Sequence, residues 1–193
     1  LFYVFTLDAF VGPNGFCYSI VDMSLNGGNG AVTTKNIQTY TPSNEKLCIV
    51  KHANNSDYWV VTHEWNSNNF VSHLLTSSGL SATPVISSAG VVITGATDKV
   101  LGQMKISPNG TKLAIANTNI NAELFDFRKV EHHGDAQHQR AGKGNHHVNQ
   151  RDKAHSRRDE KIEDEIYGGE NADADQILSV QLAFIFCVHV NTS

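Results

Sequence analysis

Two stretches of the chain share one pattern at a spacing of 55 residues: HANNSDY at residues 52–58 and SPNGTKL at residues 107–113. In each stretch, a β-prone run enters a short polar turn and a second β-prone run leaves it. The Asn-Gly pair of the second stretch tolerates positive φ, which a tight hairpin turn requires. The sequence therefore predicts the same hairpin at both places.

A third copy of the run that leaves the turn lies near the start of the chain. FYVFT at residues 2–6 matches YWVVT at residues 58–62 in chemistry, at a shift of 56 residues. The run thus occurs near residues 3, 59 and 114, and each copy precedes another β-prone run: CYSI (17–20), VSHL (71–74) and ELFD (123–126). Repetition at such a fixed period is typical of repeat architectures.

Residues 1–127 consist of short β-prone runs between clusters of Gly, Asn, Pro and Ser, with almost no helical spacing. The predicted strands are Leu1–Leu7, Phe16–Val21, Leu47–His52, Tyr58–His63, Phe70–Leu75, Val85–Ser88, Val91–Thr94, Gln103–Ser107, Lys112–Asn117 and Ala122–Phe127.

Four-stranded units repeated every ~40–55 residues are typical of β-propeller blades. The alternative is a β-sandwich, which also has short, closely spaced strands but needs no internal repeat. We predict an all-β fold, a partial β-propeller of about two to two-and-a-half four-stranded blades, with one complete blade near residues 45–94. We expect contacts between blades from Tyr3, Trp59, Val61, Leu113 and Ile115. A closed propeller needs at least about four blades, so the remaining blades of a parent chain are the expected partners.

Charge divides the chain near Arg128. Residues 1–127 hold 14 charged side chains and residues 128–175 hold 20, with six of the ten histidines between His132 and His155. Ordering a residue costs ~1–2 kcal/mol, which the second part cannot offset because it has few large apolar residues. We predict a largely disordered charged, His-rich tail over 128–175, or one solvated helix within it, and a short apolar segment over 176–193.

Three interpretations of this tail stay open. It is a genuine linker, a nucleic-acid-binding arm, or a frame-shifted translation; its net charge of −2 argues against the arm. The apolar stretch Ile177–Val190 has 14 residues, fewer than the ~18 needed to span a bilayer. Within it, AFIFCV (183–188) is a β-prone run with no evident partner and an aggregation hazard.

Composition excludes several classes of protein. The net charge of −4 does not suit a strongly basic nucleic-acid binder, and we expect no transmembrane segment. Three cysteines without CxxC spacing do not predict a disulfide framework. Because the chain lacks an initiator Met and begins inside an apolar run, we interpret it as a piece of a longer protein.

Several segments carry a family resemblance. SPNGTKLA (107–114) resembles the S-P-D-G-x-x-L-A hairpin of WD40-like propeller repeats, with Asn109 in place of the usual Asp. YSIVDMSLNGG (18–28), VKHAN (50–54), DYWVVTH (57–63) and WNSNNF (65–70) look like segments of large surface propellers of gliding, Bacteroidetes-type bacteria, which often end in a type IX secretion sorting domain. The resemblance covers residues 1–127 and does not include the sorting domain.

This resemblance implies an exported protein, extracellular or on the cell surface, whose propeller is a non-catalytic binding or scaffold module. The alternative is a lactonase- or hydrolase-type propeller whose active site lies in blades outside this chain. No G-x-S-x-G or H-E-x-x-H motif occurs, and Asp57, Glu64 and Asp126 are widely separated in sequence. We therefore predict no catalytic residue, and an enzyme is the less favoured interpretation.

A candidate ligand site lies in the connection after the repeated strand of the complete blade. There His63, Glu64, Trp65, Asn66 and Asn68 offer an aromatic ring and polar groups for a protein or carbohydrate ligand. In the structural alternative, Trp65 packs on a neighbouring blade and the Asn side chains bond to turn carbonyls.

Metal binding is not expected. His52 and His63 have no third ligand at a suitable spacing, although zinc needs three or four. The pairs His132-His133 and His146-His147, with His138 and His155, suit at most weak binding of transition metals. No cofactor is predicted.

Overall fold

The structure, a computed structural model, describes residues 1–129 and 186–190. This part is all-β, as predicted. Three 3-10 turns accompany its strands, at Ala9–Val11, Asn26–Gly28 and Thr97–Val100. The strands are β1 (Phe2–Leu7), β2 (Phe16–Asp22), β3 (Ala31–Tyr40), β4 (Ser43–Lys51), β5 (Tyr58–Glu64), β6 (Ser67–Thr76), β7 (Gly79–Leu80), β8 (Val85–Ile93), β9 (Gly102–Ile106), β10 (Lys112–Asn117), β11 (Asn121–Asp126) and β12 (Phe186–His189). The predictions for the charged tail, including its histidine pairs, lie outside the described residues.

The strands form three antiparallel sheets. The first has the order β12-β1-β2-β3, and the third has the order β11-β10-β9. In the second, β4, β5 and β6 follow one another, and both β7 and β8 pair with β6. The repeated run is β1, β5 and β10. In every sheet it lies between the strand that follows it in sequence and an edge strand, which is β12, β4 or β9; we call these three edge strands the inner strands.

The repeated hairpin is present at both predicted places. The backbone N–H of His52 donates to the carbonyl of Asp57 at 2.9 Å, and that of Ser107 donates to the carbonyl of Lys112 at 2.9 Å. The left-handed position of the turn is taken by Asn55 (φ 61°) in one copy and by Gly110 (φ 68°) in the other. Both residue types tolerate this backbone region, which explains why different residues build the same turn.

The sheets stack face to face, and the second is covered on both sides. Side chains along β5 point alternately to its two faces. Val60 points toward the first sheet, where it shares a core with Tyr3 and Phe5. Trp59 and Val61 point the other way and share a second core with Leu113 and Ile115 of the third sheet. All five residues expected between blades are thus buried in cores shared by two sheets.

The stack is head to tail. The side of the repeated strand that points toward the next sheet carries Tyr3 and Phe5 in β1 and Trp59 and Val61 in β5. The equivalent positions in β10, one repeat further on, are Ala114 and Ala116, and both are exposed. The stack is therefore open at its third sheet, and no sheet closes on itself in the part described.

Several details of the strand prediction were wrong. β4 and β6 begin before their predicted starts, at Ser43 and Ser67, and the short strand β7 was not predicted. β3 was missed because most of its side chains are exposed and polar, so it shows little alternation of apolar and polar residues. The two short strands predicted at Val85–Ser88 and Val91–Thr94 are one strand, β8, which continues through Gly90 at φ 79°. The apolar C-terminal run does have a partner in its described portion, because β12 pairs with β1 in the register Phe2 to His189.

Candidate functional site

Four segments converge at one end of the stack, which we call the junction. They are the Ala9–Val11 turn, the first four residues of β4 (Ser43–Lys46), the β5–β6 turn and the Thr97–Val100 turn. β4 contacts both 3-10 turns, and these contact each other. The β5–β6 turn joins them through the N–H of Trp65, which donates to the carbonyl of Pro42 at 3.2 Å.

His63, a predicted ligand-binding residue, is buried at the junction with 1% of its surface exposed. Its Nδ1 lies 2.7 Å from Asn44 Nδ2 and 2.9 Å from the carbonyl oxygen of Glu64. The rings of His63 and Phe70 are in edge-to-face contact, with their centroids 4.9 Å apart. Burial lowers the pKa of His63 to about 4, so the imidazole is neutral near pH 7.

Trp65 is also buried, in the core between the second and third sheets. The other predicted residues reach the surface but bond within the turn and its surroundings. Asn66 (φ 58°) donates its N–H to the carbonyl of Ile93 at 3.0 Å, and Glu64 Oε2 accepts from Asn69 Nδ2 at 2.7 Å. Asn68, which lies in β6 rather than in the turn, has Nδ2 3.4 Å from the carbonyl oxygen of Gly90. The structure therefore places Glu64, Asn66 and Asn68 within reach of a ligand, and their binding role stays a prediction.

Sequence reasoning missed the main polar feature of the junction, which is the start of β4. Ser43, Asn44, Glu45 and Lys46 are consecutive, polar and all buried. In sequence they follow Pro42 and look like a solvated linker. No local signal identifies them as interior, because their burial comes from the sheets on either side.

The two charged residues of this run bind different neighbours. Glu45 Oε1 accepts from the backbone N–H of Phe10 at 2.7 Å, in the Ala9–Val11 turn. Lys46 Nζ donates to the carbonyl of Val100 at 2.7 Å, at the end of the Thr97–Val100 turn. Burial lowers the pKa of Lys46 to about 8. Buried charges are tolerated when they are hydrogen-bonded in this way, and here each one ties β4 to a different connection.

The Ala9–Val11 turn is held in an uncommon backbone conformation. Phe10 and Val11 have φ of 50° and 62°, a region that β-branched residues such as Val rarely occupy. Asp8 braces the turn by accepting hydrogen bonds from the N–H groups of Ala9 (3.1 Å) and Asn14 (2.9 Å). The turn leaves Phe10 56% exposed. Strained backbone of this kind is concentrated at ligand sites, so Phe10 joins the candidate surface.

Two buried polar atoms of the junction, Ser43 Oγ and Asn44 Oδ1, have no hydrogen-bond partner among the described residues. Such atoms mark places where water or a ligand group can bind. His63 lies in β5, whereas His52 lies in the turn before β5 and packs against Trp59 with ring centroids 5.6 Å apart. Within residues 1–129 and 186–190, no three His, Cys, Asp or Glu side chains are grouped as a metal site would require.

The described residues thus define an all-β protein of stacked antiparallel sheets with a polar junction at one end. None of its helical segments within those residues is long and apolar enough to cross a membrane. Comparison of the chain with protein-family models, with curated proteins and with solved structures found no match.

Proposed function

We propose that the chain is part of a β-propeller that serves as a non-catalytic binding or scaffold module of an exported bacterial surface protein. The observation that carries this proposal is the head-to-tail stack. The first and second sheets each turn the same side of their repeated strand toward the next sheet. Interfaces of this kind form rings when the rotation between units closes, and a propeller is such a ring.

The strand order supports the same arrangement. The inner strands β12, β4 and β9 each lie beside the repeated strand of their sheet, and β4 contacts β9 across the interface between two sheets. In a propeller, the first strand of each blade lines the axis, and the connections at one end of the blades form the ligand face. In the proposed propeller, the junction would form part of this ligand face. Export and surface location rest on the family resemblance of residues 18–28, 50–54, 57–63 and 65–70.

The chemistry of the junction favours binding over catalysis. A general base must reach a substrate proton in a suitable protonation state. His63 is buried and bonded internally, Glu45 is bonded to the backbone of Phe10, and Lys46 is bonded to Val100. These groups build the junction. Exposed Phe10 and Asn66, together with half-buried Glu64, offer a ring and polar atoms suited to a sugar or a peptide.

The test is to probe the fluorescently labelled chain on arrays of immobilised oligosaccharides and peptides, and to assay it in parallel with p-nitrophenyl butyrate and a simple lactone. We expect binding without turnover, and loss of that binding in Phe10→Ala. Leu25→Ala is the matched control, because Leu25 is also exposed but lies in the β2–β3 connection. Turnover that is lost on mutation of the junction would replace this proposal with the hydrolase alternative.

A further inference from the structure

A cavity of about 480 Å³ lies near the other end of β4, away from the junction. It opens where inner strands of all three sheets come together, since residues of β4, β9 and β12 line it together with the start of β5. Its volume falls within the ~300–1,000 Å³ of typical small-molecule sites.

Apolar side chains form about half of the surface of this cavity, and polar groups form the rest. Ile49, Ile106 and Val188 contribute aliphatic side chains from three different sheets. Cys48 also lines it, but its thiol is buried, and burial raises its pKa to about 12. A thiol that stays protonated is a poor nucleophile, so the cavity suits binding rather than covalent chemistry.

The polar groups of the cavity are cationic or hydrogen-bonding. Lys105, Tyr58 and His189 line it, and no carboxylate does so among the described residues. Lys105 is exposed on β9 and lies opposite Ala114 in the sheet, which provides no counter-charge. The ion pair found within the described part joins Lys112 to Asp126, so the ammonium group of Lys105 is unpaired there.

We propose that this cavity binds a small organic carboxylate with an aliphatic body. The carboxylate pairs with Lys105, and the aliphatic part packs against Ile49, Ile106 and Val188. Charge complementarity and an apolar wall are both required, because an exposed ion pair alone contributes little in water. The proposal is independent of the propeller arrangement and of any ligand at the junction.

The test uses hexanoate as the probe and hexanamide as its uncharged counterpart, with the full chain labelled with ¹⁵N. Titration with hexanoate should shift the backbone amide signals of Ile49, Ile106 and Val188 to saturation. Lys105→Gln should weaken hexanoate binding about fivefold, the effect of one well-placed exposed ion pair. Lys112→Gln removes the same charge from the same sheet outside the cavity and should leave the affinity unchanged. Hexanamide should bind about fivefold more weakly than hexanoate, with no further loss in Lys105→Gln.

Three results would overturn the proposal. They are an absence of saturable shifts at the cavity residues, equal effects of the two lysine substitutions, and hexanamide binding as tightly as hexanoate. Both lysines are exposed, and the spectrum of each variant reports directly whether it is folded.

Discussion

β5 of the second sheet and β10 of the third occupy the same place in the repeat, yet β5 is buried on both faces and β10 on one. Both strands leave the same hairpin turn, with the same 2.9 Å backbone hydrogen bond. β5 places Trp59 and Val61 where β10 has Ala114 and Ala116. The turn is therefore a local property of the sequence, whereas burial depends on whether a neighbouring sheet covers each face.

The two sheets also differ in what their interiors contain. The second sheet buries Lys46 and His63, and the residues 55 positions later are Leu101 and Thr118. The titratable groups that lie deepest in the junction therefore come from the second sheet. This difference predicts where the pH dependence of stability arises.

The largest expected effect is a difference in the free energy of unfolding between substitutions at equivalent positions of the two repeated strands, β5 and β10. Trp59→Ala should lower the free energy of unfolding by about 3–5 kcal/mol, because it empties the space of a buried indole between two sheets. Ala114→Ser, at the equivalent exposed position, should change it by less than about 0.5 kcal/mol. Urea denaturation followed by circular dichroism measures both, and equal losses would contradict the difference in burial.

The next effect is acid sensitivity from His63. The imidazole of His63 becomes protonated near pH 6.5 in the unfolded chain but only near pH 4 in the folded chain. Between these pH values the unfolded state therefore binds more protons than the folded state. Stability should therefore fall by about 3 kcal/mol as the pH drops from 6.5 to 4.

Urea denaturation at several pH values should show a shallower fall in His63→Gln. Some slope should persist in that variant because burial also lowers the pKa of His73. Thr118→Ala, at the equivalent place in the third sheet, should keep the full slope. A wild-type slope in His63→Gln would be inconsistent with this assignment.

The repeated turns should respond alike. Asn55→Ala and Gly110→Ala should each cost about 1–2 kcal/mol, because alanine is strained at the positive φ of both positions. Thermal or urea denaturation of the two variants provides the measurement. A cost at one turn and none at the other would show that the two hairpins are not equivalent.

The smallest effect arises from Lys46. Its pKa is about 8 in the folded chain and about 10.5 when unfolded. Between these values the unfolded state binds more protons, so this group makes stability rise with pH. Wild type should gain about 1 kcal/mol relative to Lys46→Met between pH 8 and 9.

The comparison with Lys46→Met is needed because two other buried groups, Tyr40 and Cys48, have raised pKa values. These two groups make the stability of the folded chain fall as the pH rises. These contributions are common to wild type and variant. A constant difference between the two proteins across this range would exclude a lowered pKa for Lys46.

Much of the fold was readable from the sequence wherever a strand alternates or follows a recognisable turn. β1, β2, β5, β10 and β11 were predicted within one residue of their bounds. β3 was not, because a mostly exposed strand has no buried face to impose alternation. Of the residues that meet at the junction, the sequence singled out only the connection after β5, and its binding role stays a prediction. The buried run from Ser43 to Lys46 and the exposed Phe10 were not anticipated.

The sequence by itself determined the all-β class, the repeated hairpin and the alternation of side chains along each strand. These properties depend on φ preferences and on the two-residue period of a strand, which act over a few residues. Only the tertiary structure decided that β12 pairs with β1, that both faces of the second sheet are covered, and that Glu45 and Lys46 are interior groups. Each of these depends on contacts between residues far apart in sequence, and burial and desolvation are properties of the assembled sheets rather than of any one segment.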